Sequence, residues 1–109
     1  MGRKSREKGK VGEREVANIL KKNGFDTKRG MQYHGGPDSP DVTGLPGVHI
    51  EVKRVENFRL YDAMAQSKRD AGDGEMPVVW HRKNRERWVV VMDYEDFISM
   101  YRKANLDTL

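Results

Sequence analysis

Residues 40–55 read PDVTGLPGVHIEVKRV, and this stretch decides the fold. Apolar and polar side chains alternate over residues 48–55, so we predict a strand that packs one face against a core and presents charge on the other. Residues 41–43 predict a short extended segment, and the Gly-Leu-Pro-Gly sequence at 44–47 predicts the turn that joins the two. A hairpin through this turn would bring Asp41 beside Glu51, so that two carboxylates converge.

The flanking segments predict alternating helices and strands. Apolar residues at helical spacing predict a first helix over 11–23, a second that begins after Asn57 and ends near Gly72, and a last one over 93–105. Further strands are predicted over 25–34, 77–81 and 87–92, and Trp80 and Trp88 fit strand packing better than base stacking. The order helix, three strands, helix, two strands, helix indicates an α/β domain with a mixed five-stranded sheet flanked by helices.

The net charge of this 109-residue chain is +4 and is concentrated at one end. Residues 1–10, MGRKSREKGK, contain five basic residues and one acidic residue, so the remainder is neutral. We therefore divide the chain into a basic N-terminal tail over 1–10 and a single domain over 11–109. A basic tail is typical of proteins that bind nucleic acid through phosphate contacts, and a solubilising tail explains the same composition equally well.

Composition excludes several classes of protein. The chain has no cysteine, which excludes disulfide scaffolds, thiolate zinc sites and thiol nucleophiles. Its longest apolar run, WVVVM at 88–92, is far shorter than the roughly 20 residues of a membrane span. We therefore expect a cytoplasmic protein with no membrane partner.

The Glu51-Val52-Lys53 sequence places a carboxylate and an ammonium group on one strand face, about 6–7 Å apart along the chain. Together with Asp41 and the carbonyl of Val52, Glu51 would offer the hard oxygen ligands that Mg²⁺ prefers. Lys53 would hold the nucleophile or stabilise developing negative charge. In the structural alternative, Glu51 and Lys53 form a pair on a solvent-exposed strand face, and Asp41 is a turn residue that follows a proline. Asp38, in a second Pro-Asp pair, is an alternative metal ligand.

Glu13 lies on the inward face of the predicted first helix, three and four residues before Val16 and Ala17. A carboxylate on a packing face is costly unless it is paired or bound to a cation. In the alternative reading, Glu13 belongs to a first helical turn that remains in water and is favoured by the helix dipole.

Glu13, then Pro40-Asp41, then Glu51-Val52-Lys53, in a small basic domain, resembles the PD-(D/E)XK nuclease superfamily. The spacing and the sequence Gly12-Glu13-Arg14-Glu15 are most similar to archaeal-type Holliday junction resolvases and their small phage relatives. The resemblance implies a restriction-endonuclease-like fold and a metal-dependent DNA endonuclease that uses Mg²⁺, with Mn²⁺ as a substitute. It implies these catalytic residues: Glu13, Asp41, Glu51, Lys53 and Gln66. The implied metal ligands are Glu13, Asp41, Glu51 and the Val52 carbonyl.

Branched DNA, such as a four-way junction, is the substrate that this resemblance implies, and two symmetric cuts would require a homodimer. The final helix or the open sheet edge could form its interface. The basic residues that we expect to contact DNA are Arg3, Lys4, Arg6, Lys8, Lys10, Lys28, Arg29 and Arg54. A nicking, mismatch or restriction-like nuclease would use the same site. The alternative outside enzymes is a non-catalytic nucleic-acid-binding module.

Overall fold

The computed structural model describes residues 3–30 and 39–105, with side chains from residue 6 onward. It contains α1 (Arg3–Lys22), β1 (Lys28–Arg29), β2 (Val42–Thr43), β3 (Val48–Arg54), α2 (Leu60–Asp70), β4 (Met76–Arg82), β5 (Val89–Met92) and α3 (Tyr94–Ala104). The predicted element order and fold class are confirmed. Asp38 and residues 31–34 of the predicted first strand lie outside the described residues.

The basic N-terminal segment is part of α1. We predicted a helix from residue 11 after a separate tail, but α1 begins at Arg3. The segment is rich in Arg, Lys and Glu, which lose little side-chain freedom in a helix, and it contains no proline. An ion pair of 3.0 Å between Lys8 Nζ and Glu56 Oε2 also ties it to the chain after β3. The basic segment therefore continues the helix that carries Glu13.

The five strands form one mixed sheet in the order β1-β2-β3-β4-β5. Neighbouring strands are antiparallel except β3 and β4, which are parallel and joined by α2. A parallel pair needs such a crossover, whereas the β2–β3 hairpin needs only a tight turn. In this turn Gly44 and Gly47 have φ angles of +102° and +83°, a region that residues with a Cβ rarely adopt. The hairpin register pairs Val42 with Ile50.

Helices cover both faces of the central strands. On one face, Val16, Ala17 and Leu20 of α1 form a core with Val42, Ile50, Val52 and Val78, and Trp80 and Trp88 pack against it. On the other face, Ala63 and Met64 of α2 pack on Val79. The alternation predicted for β3 is present, but its polar face lies beneath α2, where His49 and Glu51 are buried.

The C-terminal part of the domain is less covered. No residue of α3 is buried, and its apolar residues Phe97, Ile98 and Tyr101 are exposed. Within the described residues, β5 pairs only with β4 and is an edge of the sheet. None of the described helices is long and apolar enough to cross a membrane.

We expect Gly44→Ala to destabilise the domain more than the matched substitution Gly47→Ala. A Cβ on Gly44 would lie 2.1 Å from the backbone oxygen of Asp26, whereas a Cβ on Gly47 would meet nothing within 4 Å. The left-handed backbone alone costs about 1–2 kcal/mol, and the clash adds to this only at Gly44. Thermal unfolding should show a Tm lower by roughly 10 °C or more for Gly44→Ala and by about half of that for Gly47→Ala. Equal shifts would contradict this account of the turn.

Candidate active site

The β2–β3 hairpin places Asp41 beside Glu51. The backbone amide of Asp41 donates to the carbonyl of Ile50 at 2.9 Å, one position out of step with the Val42–Ile50 pair, so the pairing is irregular where β2 begins. The carboxyl groups of Asp41 and Glu51 interact directly across this irregular end of the hairpin. Their side chains are almost fully buried, Asp41 being 9% exposed and Glu51 3%. The predicted convergence of the two carboxylates is therefore present.

Val52 supplies a backbone contact to the same site. Its amide donates to Asp41 Oδ2 at 2.8 Å, which fixes the orientation of that carboxylate. The amide and carbonyl of one strand residue point to the same side, so the Val52 carbonyl also points toward the β2 side of β3. Two carboxylates and a carbonyl thus meet at one edge of the hairpin.

Glu13 reaches this region from α1. It lies one helical turn before Val16 and Ala17, whose burial in the core holds this part of α1 against the sheet. Arg29 Nε of β1 donates to Glu13 Oε1 at 2.6 Å, so the half-buried carboxylate is paired. Burial is the main cause that raises the pKa of Glu13, and the negative charge of Asp41 raises it further.

The three carboxyl groups hold their protons more tightly than carboxyl groups in water. Burial, followed by the charge of Glu51, raises the pKa of Asp41 to about 7. The pKa of Glu51 is also raised, chiefly by burial, with smaller contributions from the charges of Asp70 and Glu13. A divalent cation would offset this repulsion, and carboxylate and carbonyl oxygens are the ligands that Mg²⁺ prefers. The residues present therefore fit a magnesium ion.

Lys53 and Gln66 form the cationic side of the site. Lys53 lies two residues after Glu51 on the same face of β3, and its charge lowers the pKa of both Asp41 and Glu51. Gln66 projects from α2 and accepts a hydrogen bond from Lys53 Nζ at 3.0 Å. The amide oxygen holds the ammonium group without removing its charge. A pocket of about 230 Å³, lined in part by Lys53, Gln66, Phe58 and Arg59, opens beside this pair.

Two buried residues next to Glu51 are absent from the predicted site. His49 Nε2 is 2.9 Å from Glu51 Oε1, and Asp70 of α2 completes a group of three whose ligand atoms lie within 4.8 Å of one another. His49 shares the charged strand face with Glu51, which is a signal in the sequence that it could touch the site. For Asp70 the signal is weaker: it lies within the predicted second helix, and only the docking of α2 brings it to Glu51.

The predicted DNA-contacting residues divide into three groups. Lys8 and Arg54 both contact Glu56, and Arg29 pairs with Glu13, so these three cations already have acidic partners. Arg6, Lys10 and Lys28 are exposed. Arg3 and Lys4 lie in the first turn of α1, before residue 6, where the description of side chains begins. The exposed positions lie on α1 and β1, the elements that carry Glu13 and its partner Arg29.

A comparison with protein-family models gives a match over almost the whole chain. The model of the family described as "Phage putative PDDEXK endonuclease" matches residues 4–108. No curated protein and no solved structure gives a significant match to the chain. The matched range includes every element of the site described above.

We expect Asp41→Asn to stabilise the metal-free protein at neutral and alkaline pH. Folding raises the pKa of Asp41 from 3.8 to about 7, so the folded state binds this proton more tightly than the unfolded chain. The stability associated with it is complete below about pH 4 and is lost as the pH rises through 7, at a cost on the order of 4 kcal/mol. An asparagine can still accept from Val52 and carries no charge.

The measurement is Tm against pH in EDTA for the wild type, for Asp41→Asn and for the exposed control Asp26→Asn. The gap between wild type and Asp41→Asn should be small at pH 4 and reach at least about 5 °C at pH 8, while Asp26→Asn follows the wild type. Millimolar Mg²⁺ should raise the wild-type Tm and reduce the gap. A gap independent of pH would rule out ionisation of Asp41 as the cause.

Proposed function

The chain belongs to the phage PDDEXK endonuclease family and is a nuclease, and from this premise we propose that it is a Mg²⁺-dependent endodeoxyribonuclease acting on branched DNA. One observation carries the proposal: the apposition of Asp41 and Glu51 beside Lys53, within a buried hairpin. Such a concentration of negative charge is costly in a domain that has no use for a cation. The proposed catalytic residues are Glu13, Asp41, Glu51, Lys53 and Gln66.

Each proposed residue has a separate task in phosphodiester hydrolysis. Asp41, Glu51 and the Val52 carbonyl would hold Mg²⁺, with Glu13 completing the set, and Mn²⁺ would substitute for it. The bound ion would polarise the scissile phosphate and make an attacking water more acidic. Lys53, oriented by Gln66, would stabilise the negative charge that develops on the phosphate oxygens. Arg29 holds Glu13 in place from β1.

DNA as the substrate is supported by the charge of the site's surroundings. The N-terminal half of α1 is basic, and its residues lie within a few turns of Glu13 along the same helix. Of the proposed DNA-contacting residues, Arg6, Lys10 and Lys28 are exposed and able to reach phosphates. Lys8, Arg29 and Arg54 would first have to leave their acidic partners, so we assign them a smaller share of the affinity. In a phage-infected cell such an enzyme would act in the cytoplasm.

The preference for branched DNA rests on the similarity to Holliday junction resolvases, because nicking, mismatch and restriction-like nucleases would use the same residues. A junction resolvase makes two cuts related by symmetry, so the proposed enzyme is a homodimer. Paired symmetric cuts that occur only on a four-way junction would select this activity over the others. Cleavage of plain duplex at the same rate would instead favour a restriction-like or nicking enzyme.

The proposed site is tested by Lys53→Met, which removes the ammonium group but keeps most of its aliphatic stem. With Mg²⁺ and labelled duplex, flap and four-way junction DNA, we expect cleavage by this variant to fall about 100-fold or more. Its DNA affinity should stay within about threefold of the wild type, because Lys53 would act mainly in the transition state. Glu51→Gln should lose cleavage and the response to Mg²⁺ together.

Lys68→Met is the matched control, since Lys68 is a partly exposed lysine of α2 that pairs with Asp93, outside the site. It should cleave like the wild type. Cleavage that survives both Lys53→Met and Glu51→Gln would place the chemistry elsewhere. Binding without cleavage by the wild type on every substrate would favour the non-catalytic nucleic-acid-binding module.

The contribution of α1 to DNA binding is tested by Arg6→Gln/Lys10→Gln. Removing two phosphate contacts should raise the Kd at moderate salt and reduce the slope of log K against log salt by up to about 2. Lys21→Gln/Lys22→Gln removes the same charge from the other end of α1 and should change both quantities much less. Equal effects of the two variants would indicate that net charge matters and its position does not.

A further inference from the structure

The last helix carries an apolar stripe that no other part of the described chain buries. Tyr94, Phe97, Ile98 and Tyr101 are spaced i, i+3, i+4 and i+7, so they share one face of α3. Their exposed fractions are 71%, 52%, 43% and 57%. The rings of Phe97 and Tyr101 contact each other with centroids 6.4 Å apart, so the stripe is continuous. Leaving such a stripe in water is costly, which indicates that it contacts a partner.

The charges of α3 are arranged to match a second copy of the same helix. The first turn contains Glu95 and Asp96, and the last turn contains Arg102 and Lys103. Glu95 and Arg102 are seven residues apart, about two turns or 10 Å, so they lie on one flank of the stripe. They line a shallow groove together with Ile98. Two such helices packed antiparallel would place each Glu95 against Arg102 of the partner subunit.

We propose that α3 packs antiparallel against α3 of a second copy of this chain across a two-fold axis near Ile98. An interface of this kind uses the same patch on both copies and therefore requires self-complementarity, which the acidic start, apolar middle and basic end of α3 provide. If the partner were a different protein, α3 would not need an acidic start and a basic end that complement each other. In this proposal α3 forms the main interface of the homodimer proposed above. The proposal rests on the proposed function only for the reason why the chain would dimerise.

The strand that leads into α3 is also partly uncovered. Val89 and Val90 are about half exposed on this strand, which is an edge of the sheet and leads through Asp93 into α3. The stripe occupies one face of an 11-residue helix, so the contact lies at the low end of specific interfaces. We therefore expect a dimer with a Kd on the order of micromolar.

The first test compares Ile98→Glu with Met100→Glu by sedimentation over about 1–200 μM full-length chain. The two residues are equally exposed, at 43% and 45%, but Met100 lies about 200° further round the helix, off the stripe. The wild type and Met100→Glu should dimerise alike, whereas Ile98→Glu should raise the dimer Kd about 100-fold or more. A monomeric wild type over the whole range, or equal weakening by both variants, would overturn the proposal.

A second test reverses charges at the ends of the interface and leaves the apolar stripe unchanged. Glu95→Arg and Arg102→Glu should each weaken the homodimer, because like charges would then face each other at both ends of the interface. An equimolar mixture of the two variants should dimerise like the wild type, since opposite charges meet again. Failure of the mixture to recover dimerisation would exclude the antiparallel pairing.

Cleavage plays no part in either readout. A dimer that does not cut DNA would refute the proposed function and leave the interface standing. A fully active monomer would overturn the interface and leave the nuclease site standing.

Discussion

The burial of two carboxyl groups against each other, Asp41 and Glu51, is the constraint on which the rest of the structure depends. Burial and mutual repulsion raise the pKa of Asp41 to about 7, so the pair opposes folding whenever both groups are ionised. The hairpin that imposes this contact is held by the turn at Gly44 and Gly47 and by the packing of Val42 and Ile50 beneath α1. The free energy of the apolar core thus maintains a charged arrangement that would separate in a flexible chain.

The groups around the pair offset its charge without neutralising it. The amide of Val52 donates to Asp41, Lys53 lies on the same strand face, and Arg29 pairs with Glu13 at the side of the site. His49 contacts Glu51 from within the protein, and α2 contributes Gln66 and Asp70 from above the sheet. A site that retains excess negative charge in a buried place is suited to a dication. This balance distinguishes it from an ordinary ion-pair network, in which the charges would cancel.

Coverage of the sheet is uneven, and the two uncovered regions differ in chemistry. Near the site, α1 extends beyond the sheet as a basic helix, which suits a polyanion. At the other end, β5 is an open edge and α3 exposes an apolar stripe between an acidic and a basic turn. Electrostatic attraction to DNA is long-ranged and falls with salt, whereas the burial of an apolar stripe is short-ranged and depends on shape. The molecule therefore presents two separate uncovered surfaces, one basic and one apolar, which we propose are used for DNA and for a second copy of the chain.

The sequence by itself determined the element order, the hairpin and the convergence of Asp41 and Glu51, because alternation along β3 and two turn glycines are local signals for a hairpin at this place. It also indicated Lys53 through its place on the face of β3 and Glu13 through its place on the inward face of α1, and Gln66 through the family resemblance alone. It did not determine that α1 begins at Arg3, that the polar face of β3 is buried, or that Asp70 joins Glu51. Those features depend on how α2 packs on the sheet and on which basic side chains form ion pairs. Only the tertiary structure decides them, because contacts between residues far apart in the chain carry no fixed spacing that a sequence pattern could report.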